Sequence, residues 1–250
     1  MMQVASHPDA PLHEYLRQHA RQQPEHVAYI WYGQEITYAE LDRASDAFAA
    51  RLAELGVKKG DPIALFMSNC PQYIMAHFGI QKLGAIVCPC GPLFKEHELQ
   101  YQLSDLQTRV IVAADTLLGV VQNVLEQTAI EHVFAVRYAD LLPDLPSIDI
   151  PPELLAMRGH KTPLPAIAED FLGVTRSGAA CPNVMLDMDD VALMTYTSGT
   201  TGLPKGAMLS YRNGQQHIVW LHAITVGCSG AFIERITVTQ HGSFGQSSRA

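Results

Sequence analysis

Val191-Ala192-Leu193-Met194-Thr195-Tyr196 is an apolar run that leads without a break into Thr197-Ser198-Gly199-Thr200-Thr201-Gly202-Leu203-Pro204-Lys205-Gly206. The first six residues have the composition of a strand. The next ten hold four hydroxyls, three glycines and one lysine. Glycines let a backbone take left-handed conformations and come close to a ligand. Successive amides can then converge on one anion. The hydroxyls donate further hydrogen bonds to phosphate oxygens, and Lys205 places positive charge where a leaving pyrophosphate accumulates negative charge. Pro204 stiffens the approach to the lysine. The plain alternative is a polar turn between strands, since Ser, Thr and Gly cluster in such turns. A turn of that kind rarely sets this density of hydroxyls beside Pro-Lys-Gly. The stretch is not a Walker loop, because Lys205 follows proline and precedes glycine, and no G-x-G-x-x-G is present.

Working backwards from the loop, the chain alternates strands and helices. Ile63–Met67, Ala85–Cys88, Val110–Ala113 and His132–Val136 are short continuous apolar runs, as expected of strands covered on both faces. Between them, residues 71–83, 96–106 and 117–127 carry helical periodicity. This pattern predicts an α/β fold with the four strands as parallel neighbours flanked by helices. Val191–Thr197 is expected to enter a different part of the domain and to end at the loop. Upstream, Leu12, Tyr15, Leu16, His19 and Ala20 predict a first helix, followed by a hairpin that turns at Gly33. Thr37 and Glu40 predict a capping box, and Gly56 a left-handed stop to that second helix. From Leu141 to Asp187 repeated prolines dissolve the pattern, which predicts a long surface excursion.

Composition narrows the function. A formal charge of -8 argues against a nucleic-acid binder, which needs a basic face. It is compatible with ATP, whose site is set by a local loop. Cys70, Cys88, Cys90, Cys181 and Cys228 match no disulfide or zinc framework, and they read as buried thiols in a reducing, cytoplasmic setting. No signal peptide or bilayer-spanning stretch is visible; peripheral membrane contact stays open. His13, His19 and His26 read as surface or packing groups. Asp187, Asp189 and Asp190 read as a solvated turn rather than a metal cluster. Arg212 is left between a phosphate contact and the start of a helix.

Tyr196 to Gly206, continuing through Ala207-Met208-Leu209-Ser210-Tyr211-Arg212-Asn213, resembles the signature of the adenylate-forming superfamily of acyl-CoA synthetases, luciferases and peptide-synthetase adenylation domains. Ile36-Thr37-Tyr38-Ala39-Glu40-Leu41, Gly56-Val57 with Gly60-Asp61, Lys82 to Pro89 and Leu93 to Leu106 are similar to its earlier segments, in the same order. The resemblance runs from about Pro11 to Asn213 and implies the N-terminal part of the large adenylation domain. It implies that a small-molecule carboxylate attacks the α-phosphate of ATP, and that a thiol, usually coenzyme A, then takes the acyl group. Thr197, Ser198, Gly199, Thr200, Thr201, Gly202 and Lys205 would hold the β- and γ-phosphates, with Mg²⁺ bridging and a loop hydroxyl as one of its ligands. Fatty acyl and aryl substrates are both open; the Pro-rich excursion and the Phe94 region resemble fatty acyl-CoA synthetases more than peptide-synthetase modules, which implies a fatty acyl group.

After Asn213 the resemblance stops. Beyond Lys205 the sequence has no Lys, Asp or Pro, and it closes on Gly-Ser-Phe-Gly-Gln-Ser-Ser-Arg-Ala. Residues 1–213 are therefore read as the AMP-binding part, and 214–250 as an atypical tail, disordered or frameshifted. The family's Tyr-Gly-x-Thr-Glu and Tyr-x-Thr-Gly-Asp segments, and its small C-terminal domain with the catalytic lysine, are not found in these residues. The second expectation is accordingly a truncated fragment that does not catalyse and binds phosphate at most weakly.

Overall fold

A computed structural model describes residues 10–159, 163–197 and 204–215. Helix α1 (Leu12–Gln22) precedes an antiparallel hairpin of β1 (Val27–Trp31) and β2 (Gln34–Thr37), then α2 (Tyr38–Glu54). The alternating body follows: β3 (Pro62–Phe66), α3 (Pro71–Lys82), β4 (Ile86–Cys90), α4 (Glu96–Leu106), β5 (Val110–Ala114), α5 (Leu118–Val124) and β6 (His132–Val136). Then come α6 (Pro152–Ala156), β7 (Ala168–Asp170), α7 (Phe171–Thr175), β8 (Val191–Thr197) and β9 (Lys205–Ser210).

The second sheet has seven strands in the order β7-β6-β5-β3-β4-β8-β9. All neighbours are parallel except β8 and β9. The four strands read from the sequence are contiguous in it. Their continuous apolar runs are explained by burial on both faces, because alternate residues point to opposite sides. Ile63, Leu65, Val110, Val112 and Phe134 pack with Phe48, Leu52, Ile80 and Phe171 on the face of α2, α3 and α7. Ala64, Phe66, Ile111, Ala113 and Val133 pack with Leu99, Leu103, Val121 and Val124 on the face of α4 and α5.

The local signals hold. The Thr37 amide donates to Glu40 Oε2 at 2.8 Å, and the Glu40 amide donates to Thr37 Oγ1 at 3.2 Å. Gly56 follows α2 with φ +77°, a conformation that costs glycine little. The contact of α2 with α3 is close because Gly79 has no side chain: a Cβ there would meet the Ser45 carbonyl oxygen at 2.9 Å. The same interface holds a buried ion cluster. The fully buried Lys82 ammonium donates to Asp42 Oδ1 at 2.6 Å, Asp46 Oδ1 at 2.7 Å and the Asp42 carbonyl at 2.9 Å. Arg17 of α1 lies 3.7 Å from Asp46, which ties α1 to the same cluster.

Two expectations are corrected. β8 does not enter a different part of the domain; it lies beside β4 in the same sheet, joined through the one register pair Val87–Leu193. Its place follows from apolar cover, since Val191, Met194 and Tyr196 pack against buried Ile86, Cys88 and Leu106. The excursion after Leu141 is also not all surface. β7 extends the sheet beside β6, and Phe171 is fully buried with its ring 4.9 Å from that of Phe48. The sequence hides this strand because Ala168-Glu169-Asp170 has no apolar alternation. Ion pairs hold it instead: Arg51 grips Glu169 at 3.1 Å, and Arg137 lies 2.5 Å from Asp170.

Candidate functional site: the base of a phosphate loop

β8 runs parallel to its sheet neighbour, so the loop after it leaves at the carboxyl edge of the strands. Open α/β sheets bind their ligands at this edge. β9 then returns antiparallel to β8 with Thr197 opposite Lys205 and Tyr196 opposite Gly206. Of the sequence-derived site residues, Thr197 and Lys205 are thus brought face to face at the mouth of the loop, both exposed. Ser198, Gly199, Thr200, Thr201 and Gly202 lie outside the described residues. No carboxylate of the described residues pairs with Lys205.

Gly206 makes for close packing at the base of the loop. A Cβ there would meet Met194 Sδ at 3.0 Å, Met194 Cγ at 3.2 Å and Tyr196 Cζ at 3.4 Å, because both side chains lie across it. Two groups of α4 reach the same base. The Tyr101 hydroxyl donates to the Pro204 carbonyl at 2.9 Å, and the Tyr196 hydroxyl donates to Asp105 Oδ2. Neither Tyr101 nor Asp105 was singled out by sequence reasoning. Their helical spacing is visible, but nothing local shows that they face a loop that starts some hundred residues later.

Downstream of β9 the chain is clamped. Tyr211 is buried, and its hydroxyl donates to the Gln81 carbonyl at 2.8 Å. Arg212 lies in the first turn of a short helix, with Nε donating to Asp189 Oδ1 at 2.8 Å. Asp190 pairs with Lys59 at 2.6 Å, and Asp187 accepts from the Asp189 amide at 2.9 Å, which makes 187–190 a pinned turn. Among the described residues no group of three His, Cys, Asp or Glu side chains is placed to hold a metal. Cys70, Cys88 and Cys90 are buried, and burial pushes the Cys88 thiol up to about 12. Cys228 lies outside the described residues. No described helix is long and apolar enough to cross a membrane.

The three histidines of the first segment lie against aromatic rings. His19 stacks on Tyr38 at 4.9 Å, and His26 lies 6.4 Å from the same ring. His13 is buried edge-on against Tyr211, at 5.7 Å between ring centres. Burial first, and then the charges of Arg17, Lys82 and His77, lower its pKa to about 3, although the Glu14 carboxylate lies 3.6 Å away. An unfolded chain takes up this proton near pH 6.5, so protons favour unfolding below that pH. Stability from His13 is full above 6.5 and is lost as the pH falls towards 3, by about 2 kcal/mol at pH 5. Urea unfolding at pH 7 and pH 5 is expected to show a smaller acid loss in His13→Phe than in the parent. An equal loss in both proteins would remove His13 from the acid response.

Comparison with known proteins agrees with this geometry. The profile of the AMP-binding enzyme family matches residues 16–231. A long-chain-fatty-acid–CoA ligase of Escherichia coli O6:H1 is 36% identical over 191 residues, covering 74% of this chain and 34% of the relative. The 4-coumarate–CoA ligase CCL1 of Humulus lupulus is 32% identical over 204 residues, 81% of this chain and 33% of its own. The chain thus spans about a third of the length of the curated relatives it matches. Among solved structures, a long-chain-fatty-acid–CoA ligase from Archaeoglobus fulgidus superposes with a TM-score of 0.69 at 24% identity, over 87% of this chain and 40% of that one. With the seven-stranded sheet, the loop base at its carboxyl edge and a family match over most of its length, the chain belongs to the AMP-binding enzyme family.

Proposed function

We propose that this chain supplies the phosphate grip of an acid–CoA ligase, in which ATP activates a carboxylic acid to an acyl-adenylate and coenzyme A then takes the acyl group. The observation that carries the reading is the exposed Lys205 ammonium opposite Thr197, with no described carboxylate neutralising it. An open cation beside a hydroxyl at the mouth of a Gly/Ser/Thr loop suits the β- and γ-phosphates. Thr197 and Lys205 would hold them together with Ser198, Gly199, Thr200, Thr201 and Gly202. Mg²⁺ would neutralise phosphate charge, its ligands being sought among the loop hydroxyls and the phosphates themselves. A fatty acid is the favoured substrate, in line with the name of the Escherichia coli relative. A cytoplasmic setting, peripheral membrane contact and the division at Asn213 belong to the same proposal. Residues 216–250 lie outside the described residues.

These 250 residues contain neither the Tyr-Gly-x-Thr-Glu nor the Tyr-x-Thr-Gly-Asp segment. They are therefore expected to bind pyrophosphate without turning over. The purified chain is given ATP, Mg²⁺, coenzyme A and a panel of fatty and aryl acids, and AMP release is followed; pyrophosphate binding is measured by calorimetry. Saturable pyrophosphate binding with no AMP release is the expected result. Failure to bind pyrophosphate would sink the phosphate grip. Acid-dependent turnover near 1 per second or faster, roughly an ordinary enzyme rate, would show that these residues hold a complete site.

A further inference from the structure

We propose that Tyr101 and Asp105 of α4 are positioning residues for the phosphate loop, bracing its two ends from outside and so setting the stance of Thr197 and Lys205 toward phosphate. The inference rests on the reading of the loop as a phosphate grip. Tyr101 and Asp105 are one helical turn apart, so they share a face of α4. Tyr101 takes the outgoing end of the loop, at the Pro204 carbonyl next to Lys205. Asp105 takes the incoming end, at the Tyr196 hydroxyl next to Thr197. Both contacts therefore fall one residue from the pair that faces the ligand.

The helix is a firm base for such a brace. Leu99 and Leu103 are fully buried, Leu106 nearly so, and Gln102 Nε2 donates to the Pro89 carbonyl of β4 at 2.9 Å. The hairpin it braces needs support. β8 meets β4 through one register pair, and all of β9 before Ser210 is exposed. Apolar packing on Ile86, Cys88 and Leu106 holds the foot of the stem, and the two α4 contacts hold the end that carries Thr197 and Lys205. Burial, and next the hydrogen bond to Asp105, raise the Tyr196 phenol above its ordinary range, so it remains a donor across the range of working pH.

The two contacts also explain why Gly206 faces Tyr196. The Tyr196 ring crosses the returning strand on its way to Asp105, and a Cβ at Gly206 would come into contact with it at 3.4 Å. The brace is thus written into three separated parts of the sequence: a helix face, a strand end and a glycine.

Positioning errors are costly in phosphate chemistry, where about 1 Å of misplacement can cost on the order of 100-fold. The test uses the full 250-residue chain and Mg²⁺-pyrophosphate as the probe, with affinity from calorimetry and stability from urea unfolding. Tyr101→Phe removes only the hydroxyl, and Asp105→Ala removes the acceptor; each is expected to weaken pyrophosphate binding by about 10-fold. Unfolding midpoints are expected to stay near the parent value for Asp105→Ala, whose contact is exposed, and to fall only slightly for Tyr101→Phe, whose contact is half-buried. Asp105→Asn keeps an acceptor and is expected to restore binding. Because the brace acts through Lys205, adding Lys205→Ala to Asp105→Ala is expected to cost less than the product of the single losses. Parent-like affinity in both Tyr101→Phe and Asp105→Ala, with Lys205→Ala impaired, would overturn the brace and leave the phosphate grip standing. Fully multiplicative losses would overturn action through Lys205. A parent chain with no pyrophosphate affinity would overturn the phosphate grip itself, and the brace with it.

Discussion

Lys82→Ala is expected to destabilise the protein by about 3 kcal/mol, the lower end of the cost of breaking a buried ion pair. The Lys82 side chain is 0% exposed and satisfies two carboxylates and a carbonyl at once. Removing it leaves Asp42 and Asp46 facing one another's charge at the packed contact of α2 and α3. Their side chains are 20% and 27% exposed, so water takes over part of the lost solvation, which is why the lower figure applies. Domains of this kind are stable by roughly 5–15 kcal/mol, so the loss would be a large share of the total. Urea unfolding at neutral pH measures it, with an unchanged slope showing that the same surface is exposed. Adding Asp42→Asn and Asp46→Asn to Lys82→Ala is expected to recover part of the loss. A change below about 1 kcal/mol, the scale of an exposed pair, would mean that the cluster is solvated in solution.

Lys205→Ala is expected to slow adenylation by a factor on the order of 10–1000. The site gives the reason. Lys205 opens β9, stands opposite Thr197, and has no ion-pair partner among the described residues. Its charge holds no described part of the fold. The substitution should therefore leave stability within about 0.5 kcal/mol of the parent, as for other surface changes. The rate is read by carboxylate-dependent exchange of pyrophosphate into ATP. The protein used joins this chain to the remaining length of the Escherichia coli relative, of which the match covers 34%. Lys205→Arg retains the charge and is expected to keep more of the rate than alanine does. Exchange at the parental rate in Lys205→Ala would take this residue out of the mechanism.

The legible part of the fold was the part decided by local chemistry. Short apolar runs became the central strands because burial on both faces demands them, as at Ile63–Phe66. Thr37, Glu40 and Gly56 marked helix ends because the cap and the left-handed stop need those residue types. What stayed hidden was decided by partners far along the chain. β7 is held by Arg51 and Arg137, neither of which marks residues 168–170 in the sequence. The place of β8 depends on a gap beside β4 that exists only once the sheet is built. At the loop, Lys205 and Thr197 could be singled out as phosphate-binding types from the sequence, and the fold sets them opposite one another. Tyr101 and Asp105 could not, because each looks like an ordinary polar position on a helix.

The strand order has a consequence for how the molecule is made. The centre of the sheet, β6-β5-β3-β4, comes from one continuous stretch and can pair as soon as that stretch has left the ribosome. Both flanks, β7 on one side and β8 with β9 on the other, are drawn from later sequence. The contact of Tyr101 with Pro204 closes over 103 residues. Long closures of this kind come late, because chain entropy is lost before the contact returns anything. Synthesis thus lays down the central strands first, and the stem of β8 and β9 that carries Thr197 and Lys205 joins one edge of a sheet whose middle is already paired.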